Sequence, residues 1–244
     1  MRNVWHVARR ELGAIFVQPI AYVVAGFITL VTGWIFAAQI SFPALPGGGP
    51  PPTVTQILNT FTFLALFVVP AVTMRLLSEE QQTGTVELLM TLPLHDIEVV
   101  LGKFLAAFLF YTAVTALTLI YPFILLRFGN PDVGPILSGY LGVLLWGSAL
   151  IGIGTLASAL SENQINAFML AFGIILLLYL TQIPAQFFAV GPTLSTILNE
   201  MSLQSHLSNL LNGLITARDV LYYLVIAAVS LFAAARVLES RRWR

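Results

Sequence analysis

The stretch Phe104–Leu126, FLAAFLFYTAVTALTLIYPFILL, decides the fold class. It contains no Asp, Glu, Lys or Arg, and its apolar positions run on without the alternation of a half-buried strand. A hydrocarbon core about 30 Å thick needs about 20 apolar residues at about 1.5 Å each, so this stretch is long enough to cross one. Five more stretches meet the same condition: Ile20–Ile40, Ile57–Met74, Pro135–Leu160, Ile165–Phe188 and Val220–Ala235, all without formal charge. The expected fold is an all-α polytopic membrane protein with six transmembrane helices in a single domain, 1–244. Continuous apolar runs argue against a β-barrel. The first span is too long for a signal h-region and five spans follow it, so it is expected to stay in the protein.

Composition agrees. The 244 residues are 58% hydrophobic and 9% charged, against about 45–50% and about 25% in soluble domains. Eleven basic and eleven acidic residues cancel, which leaves no basic surface for a nucleic-acid partner. The absence of cysteine excludes disulfides, thiolate metal sites and cysteine nucleophiles. With six spans both termini share one side. That side holds Arg2, Arg9, Arg10, Arg75, Lys103, Arg236, Arg241, Arg242 and Arg244, and the other holds only Arg127 and Arg218. The bias makes both termini cytoplasmic.

The segments between spans carry what polarity there is. In residues 1–19, Trp5, Ala8, Leu12, Ile15 and Phe16 recur on one helical face, and Arg2, His6, Arg9 and Gly13 fall on another. This predicts an interfacial helix with Trp5 in the headgroup layer and Arg9 and Arg10 toward water; a bare basic flank is the alternative. Pro19 ends it. The loop Ser41–Gln56 is rich in Pro and Gly and is expected to be a linker. Arg75–Lys103 holds five of the eleven acidic residues, Glu79, Glu80, Glu87, Asp96 and Glu98. A helical pattern runs from Glu79 to Leu92, with Val86, Leu89 and Met90 on one face and Glu80, Gly84 and Glu87 on another, and Pro93 stops it. Such a helix suits docking of a partner; a solvated loop is the alternative. The fourth span has Ser148/Gly152 and Gly154/Ser158 at spacings of four, as close helix packing in lipid requires. Ala189–Asp219 is expected to form one or two short helices at the outer surface. Pro70, Pro122 and Pro184 fall inside spans and should kink them.

Chemistry is scarce. No ionisable group lies in mid-span, as proton relays would require. His6, His95 and His206 lack metal-ligand spacing, and His206 is expected to be exposed and structural. Gly102-Lys103 lacks the upstream glycine of a phosphate loop. No catalytic residue, metal ligand or cofactor is expected on this chain.

One stretch does carry a signature. Residues 75–93, RLLSEEQQTGTVELLMTLP, with Val99-Val100-Leu101-Gly102-Lys103-Phe104 after them, resemble the signature of type-2 ABC transporter permeases. Within that family the chain is most similar to the gliding-motility-associated type. The likeness also covers Pro19-Ile20-Ala21-Tyr22, Pro70–Arg75, Asn130–Ile136, Ser138–Gly142, Ser158–Gln164 and Leu238–Trp243. The resemblance implies a multi-pass permease of the inner (plasma) membrane that pairs with a second permease chain, the same or similar. Two separate ABC ATPase subunits, which bind MgATP, would sit beneath the pair. It implies that Glu79–Leu92 is a coupling helix, with Glu79, Glu80, Gly84, Thr85, Glu87, Leu88, Leu89 and Pro93 in the motif. Ser161, Glu162, Asn163 and Gln164 would be a second cytoplasmic contact. Relatives often have basic residues where this chain has Gln81 and Gln82. The apolar spans favour a hydrophobic or amphipathic exported cargo, or transmission of mechanical work. A non-transporting scaffold subunit and a lipid-modifying membrane enzyme are the alternatives.

Overall fold

A computed structural model describes residues 2–41, 51–84, 95–187 and 191–241. Among them the secondary structure is helical throughout, with no strand. The helices are α1 (Arg2–Val17), α2 (Pro19–Ser41), α3 (Val54–Thr73), α4 (Arg75–Gln82), α5 (Asp96–Leu117), α6 (Ile120–Phe128), α7 (Val133–Leu160), α8 (Gln164–Leu180), α9 (Gln182–Phe187), α10 (Pro192–Met201), α11 (Leu203–Leu211) and α12 (Ala217–Arg241). Six helical stretches are long and apolar enough to cross a membrane: Pro19–Ser41, Val54–Gln82, Asp96–Phe128, Val133–Leu160, Gln164–Pro184 and Ala217–Ser240. The protein is an all-α polytopic membrane protein.

Proline sets several boundaries. Gln18 bends the chain and Pro19 opens α2 at a position where its missing N–H costs nothing. Pro122 cannot donate to Thr118, and α5 stops there; the Thr118 hydroxyl instead donates to the Thr115 carbonyl (2.7 Å) and pairs with the Tyr140 hydroxyl (3.0 Å). Pro184 likewise cannot donate to the Leu180 carbonyl, and α8 ends at Leu180 with Thr181 as its cap. Pro70 does not break α3, which runs on to Thr73.

Helix α7 is the centre of the bundle. Its most apolar window is 83% buried, against 17% for α8, and α3, α4, α5, α8, α11 and α12 all pack on it. Small residues make this possible. A side chain at Gly147 would overlap the Tyr111 ring of α5, and one at Gly154 would overlap Thr73 of α3. Gly152 instead faces the Ala227 backbone of α12. The two small-residue pairs thus serve different neighbours. Outward faces such as Leu30, Trp34 and Val23 of α2 stay exposed, as lipid contact allows.

The segment after α9 folds as two helices, α10 and α11. Leu203, Leu207, Leu210 and Leu211 are buried, and Leu210 lies over Gly142 of α7.

Candidate functional site

The ionisable side chains gather at the end of the bundle that carries both termini, where α1, α4 and α5 meet. Lys103 is 1% exposed. Its ammonium lies 2.9 Å from Glu80 and 3.4 Å from Glu11. Arg10 lies 2.7 Å from Glu11 and 3.6 Å from Glu80. Two carboxylates and two cations therefore neutralise one another, which is how charge survives away from water. The hydrogen bond to Glu11 raises the Arg10 pKa above its ordinary value and keeps it charged. Beside this cluster, Arg75 donates to Glu79 (3.1 Å) and to the Gln18 side chain (2.7 Å), joining α4 to the bend before α2. Asn3 donates to Glu98 at the start of α5 (3.2 Å). Helix α1 comes close to α5 because Gly102 has no side chain; a Cβ there would sit 2.6 Å from that of Val7.

The join between α3 and α4 is held from α7. The helical ladder is interrupted at Met74, although its φ and ψ (−54°, −28°) stay helical. The Ser158 hydroxyl fills the gap. It accepts from the Leu77 and Ser78 N–H groups (2.9 and 3.0 Å) and donates to the Met74 carbonyl (3.0 Å); the Ser78 hydroxyl also donates to that carbonyl. One turn on, the Gln81 amide donates to the Ala159 carbonyl (3.0 Å). Helix α4 is thus fastened to the end of α7, next to Ser161–Gln164.

The motif residues are distributed as follows. Glu80 joins the ionic cluster, and Glu79 pairs with Arg75 beside it. Of the stretch Glu79–Leu92 expected to be helical, residues 79–82 belong to α4, which ends at Gln82, and residues 85–92 lie outside the described residues. Thr83 caps α4, and Gly84 takes a φ of +71° that glycine adopts without strain. Thr85, Glu87, Leu88, Leu89 and Pro93 lie outside the described residues. Ser161 ends α7, and the Asn163 side chain caps α8 by accepting from Ile165 N–H (2.8 Å); Glu162 and Gln164 complete this short turn. The apolar stripe of α1 divides. Ala8 is buried with Val7, whereas Trp5 and Phe16 stay 54% and 39% exposed; Arg9 is exposed. Helix α1 is a packed element of the junction, because Gly102 admits Val7.

The reading of His206 as a lone exposed residue needs correction. It is buried, its Nδ1 lies 2.6 Å from Asp219, and its Nε2 lies 3.1 Å from the Glu200 carbonyl. Its ring stacks on Tyr222 at 4.0 Å. Asp219 also accepts from Asn209 (3.1 Å) and Thr216 (2.7 Å), and Arg218 pairs with Glu200. This network ties α10 and α11 to the start of α12, at the end opposite the Lys103 cluster. The Thr216-x-x-Asp219 spacing of a helix start was the available signal.

The profile of the ABC-2 family transporter proteins matches residues 35–236. The chain belongs to this family, whose members are the membrane-spanning subunits of ABC transporters and associate with an ABC ATPase. No curated protein matches the chain.

Proposed function

We propose that the chain is the permease subunit of an ATP-driven exporter in the plasma membrane, with the terminal end of the bundle in the cytoplasm. Two permeases pair, and two separate ATPase subunits bind MgATP beneath them. ATP binding closes the ATPase pair, moves the segment Thr85–Pro93, and shifts the bundle between two states. Ser161–Gln164 forms a second contact. The cargo is hydrophobic or amphipathic, or the motion itself is the output. Within the family the sequence likeness favours the gliding-motility-associated type.

The observation that supports this reading is the double fastening of α4. Ser158 and Gln81 tie it to α7, and the cluster of Lys103, Glu80, Glu11 and Arg10 ties it to α1 and α5. A displacement applied just beyond Gly84 would therefore be carried into α3, α5 and α7 together.

The test is a mild-detergent pull-down of the tagged chain from its native membrane, followed by an ATP hydrolysis assay. A stoichiometric phosphate-loop subunit with activity is expected. A clean chain without one, at a loading that would reveal it, would make the protein a scaffold. Lipid turnover by the purified chain alone would make it an enzyme.

A further inference from the structure

Between α1, the start of α2, the α3–α4 junction and α5 lies a cavity of about 290 Å³. Its rim is ionic and its floor is apolar. Glu11, Arg75, Glu79, Glu80 and Lys103 line the rim; Ile15, Val24, Val72 and Phe110 line the floor. On α5 the lining runs from Lys103 to Phe110, which is about 10 Å of helix and comparable with the depth of the headgroup–acyl boundary, about 5–10 Å. Beyond Val24, Val72 and Phe110 the space narrows to an apolar crevice of about 20 Å³ toward Ile28 and Phe61. The wide part is at the small end of ligand pockets, about 300–1,000 Å³, so it suits a headgroup better than a large cargo.

We infer that this cavity binds the headgroup of a bilayer phospholipid bearing a phosphate and a primary ammonium. The charge count carries the choice. Among the described residues, the three lining carboxylates face Arg75 and Lys103, and Arg10, 2.7 Å from Glu11, evens the sum. A balanced site suits a zwitterion and not a net anion. Lys103 is engaged by both Glu80 and Glu11. Arg75 has five N–H donors and gives one each to Glu79 and Gln18, so its fork keeps donors for a phosphate. Glu79, with its side chain 43% exposed, is placed for the ammonium. A quaternary ammonium would want an aromatic cage, and Phe110 is the one aromatic ring among the described residues of the lining. The crevice is too narrow for an acyl chain, so the tails leave past Ile20, which is 43% exposed. They then lie along Tyr22, Val23 and Phe27, the outward face of α2. The site follows from the membrane-spanning fold and does not depend on transport.

The test is native mass spectrometry of the delipidated full-length chain in an equimolar mixture of phosphatidylethanolamine, phosphatidylcholine and phosphatidylglycerol. Preferential retention of phosphatidylethanolamine is expected. Loss of the charged contacts in Arg75→Gln or Glu79→Gln should weaken retention about tenfold. Ala14→Trp, at an exposed rim position, fills the cavity without removing a charge and should act likewise, with helix content unchanged by circular dichroism. Equal retention of all three lipids, or retention indifferent to every one of these variants, would overturn the inference. Soluble glycerophosphoethanolamine binding as tightly as the lipid would also overturn it, since the site would then take a free headgroup. The readout needs no ATPase, so it stands or falls apart from the proposed function.

Discussion

Lys103 and Ser158 each act at one point and govern a junction. Lys103 lies on the side of α5 that faces α1 and α4, where it balances two carboxylates. Lys103→Met would leave Glu80 and Glu11 without their shared cation. Breaking a buried pair costs about 3–5 kcal/mol. The loss here should be smaller, about 2 kcal/mol, because these carboxylates keep some exposure and Arg10 remains beside both. Unfolding of the detergent-solubilised chain measures it, and a double mutant with Glu80→Gln should recover part of the loss. Ser158→Ala removes the group that accepts two backbone N–H bonds at the Met74 interruption. A buried unsatisfied donor costs about 1–3 kcal/mol. Destabilisation in that range is expected, with faster amide exchange at Leu77 and Ser78; unchanged exchange there would mean that the hydroxyl does not hold the junction.

Two elements are fastened by contacts that a single substitution would release. Helix α1 rests on α5 through Val7 and Gly102, whose would-be Cβ separation is 2.6 Å. Gly102→Val should push α1 away from α5 and disturb the Lys103 cluster, because neither β-carbon has anywhere to go. A spin-label distance between α1 and α5 should lengthen. At the other end, α10 and α11 are held to α12 by His206, Asp219 and Tyr222. Asp219→Asn keeps the shape but removes the charge that assists these bonds. Hydrogen bonds to charged groups contribute about 1.5–3 kcal/mol, so opening of the α10–α11 segment should rise about tenfold or more. Hydrogen exchange over 192–211 reads this directly, with the remaining helices as internal reference.

At the scale of the whole molecule, α7 acts as the spine. Helices α3, α5 and α12 close on it through positions too small to keep them apart, and α4 is pinned to its end by Ser158. A rigid spine with a pinned lever is suited to pass a displacement from one end of the bundle to its interior. Glu87→Lys reverses a charge in the motif beyond Gly84. It should uncouple ATP hydrolysis from the permease while leaving membrane insertion and helix content intact. Normal coupling in a correctly inserted Glu87→Lys complex would remove Glu87 from the contact.

The six spans were legible in sequence because a bilayer demands long uncharged runs, and that demand acts on each segment by itself. The family signature was legible as a pattern of residue types, and the close packing at Gly154 and Ser158 as a spacing. That α4 ends at Gln82 was not legible, since the turn at Thr83 and Gly84 leaves the apolar and acidic periodicity unchanged. His206 was misjudged because its partner lies thirteen positions away on the next element. The ionic cluster draws Glu11, Glu80 and Lys103 from three separate helices, and the Ser158 clasp joins residues about eighty positions apart. The sequence alone determined that the chain crosses a membrane and where, because hydrophobicity and length are local properties. Which polar groups meet, and hence how the ends of the bundle are fastened, was decided only by tertiary structure, because electrostatic and hydrogen-bond pairing depends on distances that packing alone sets.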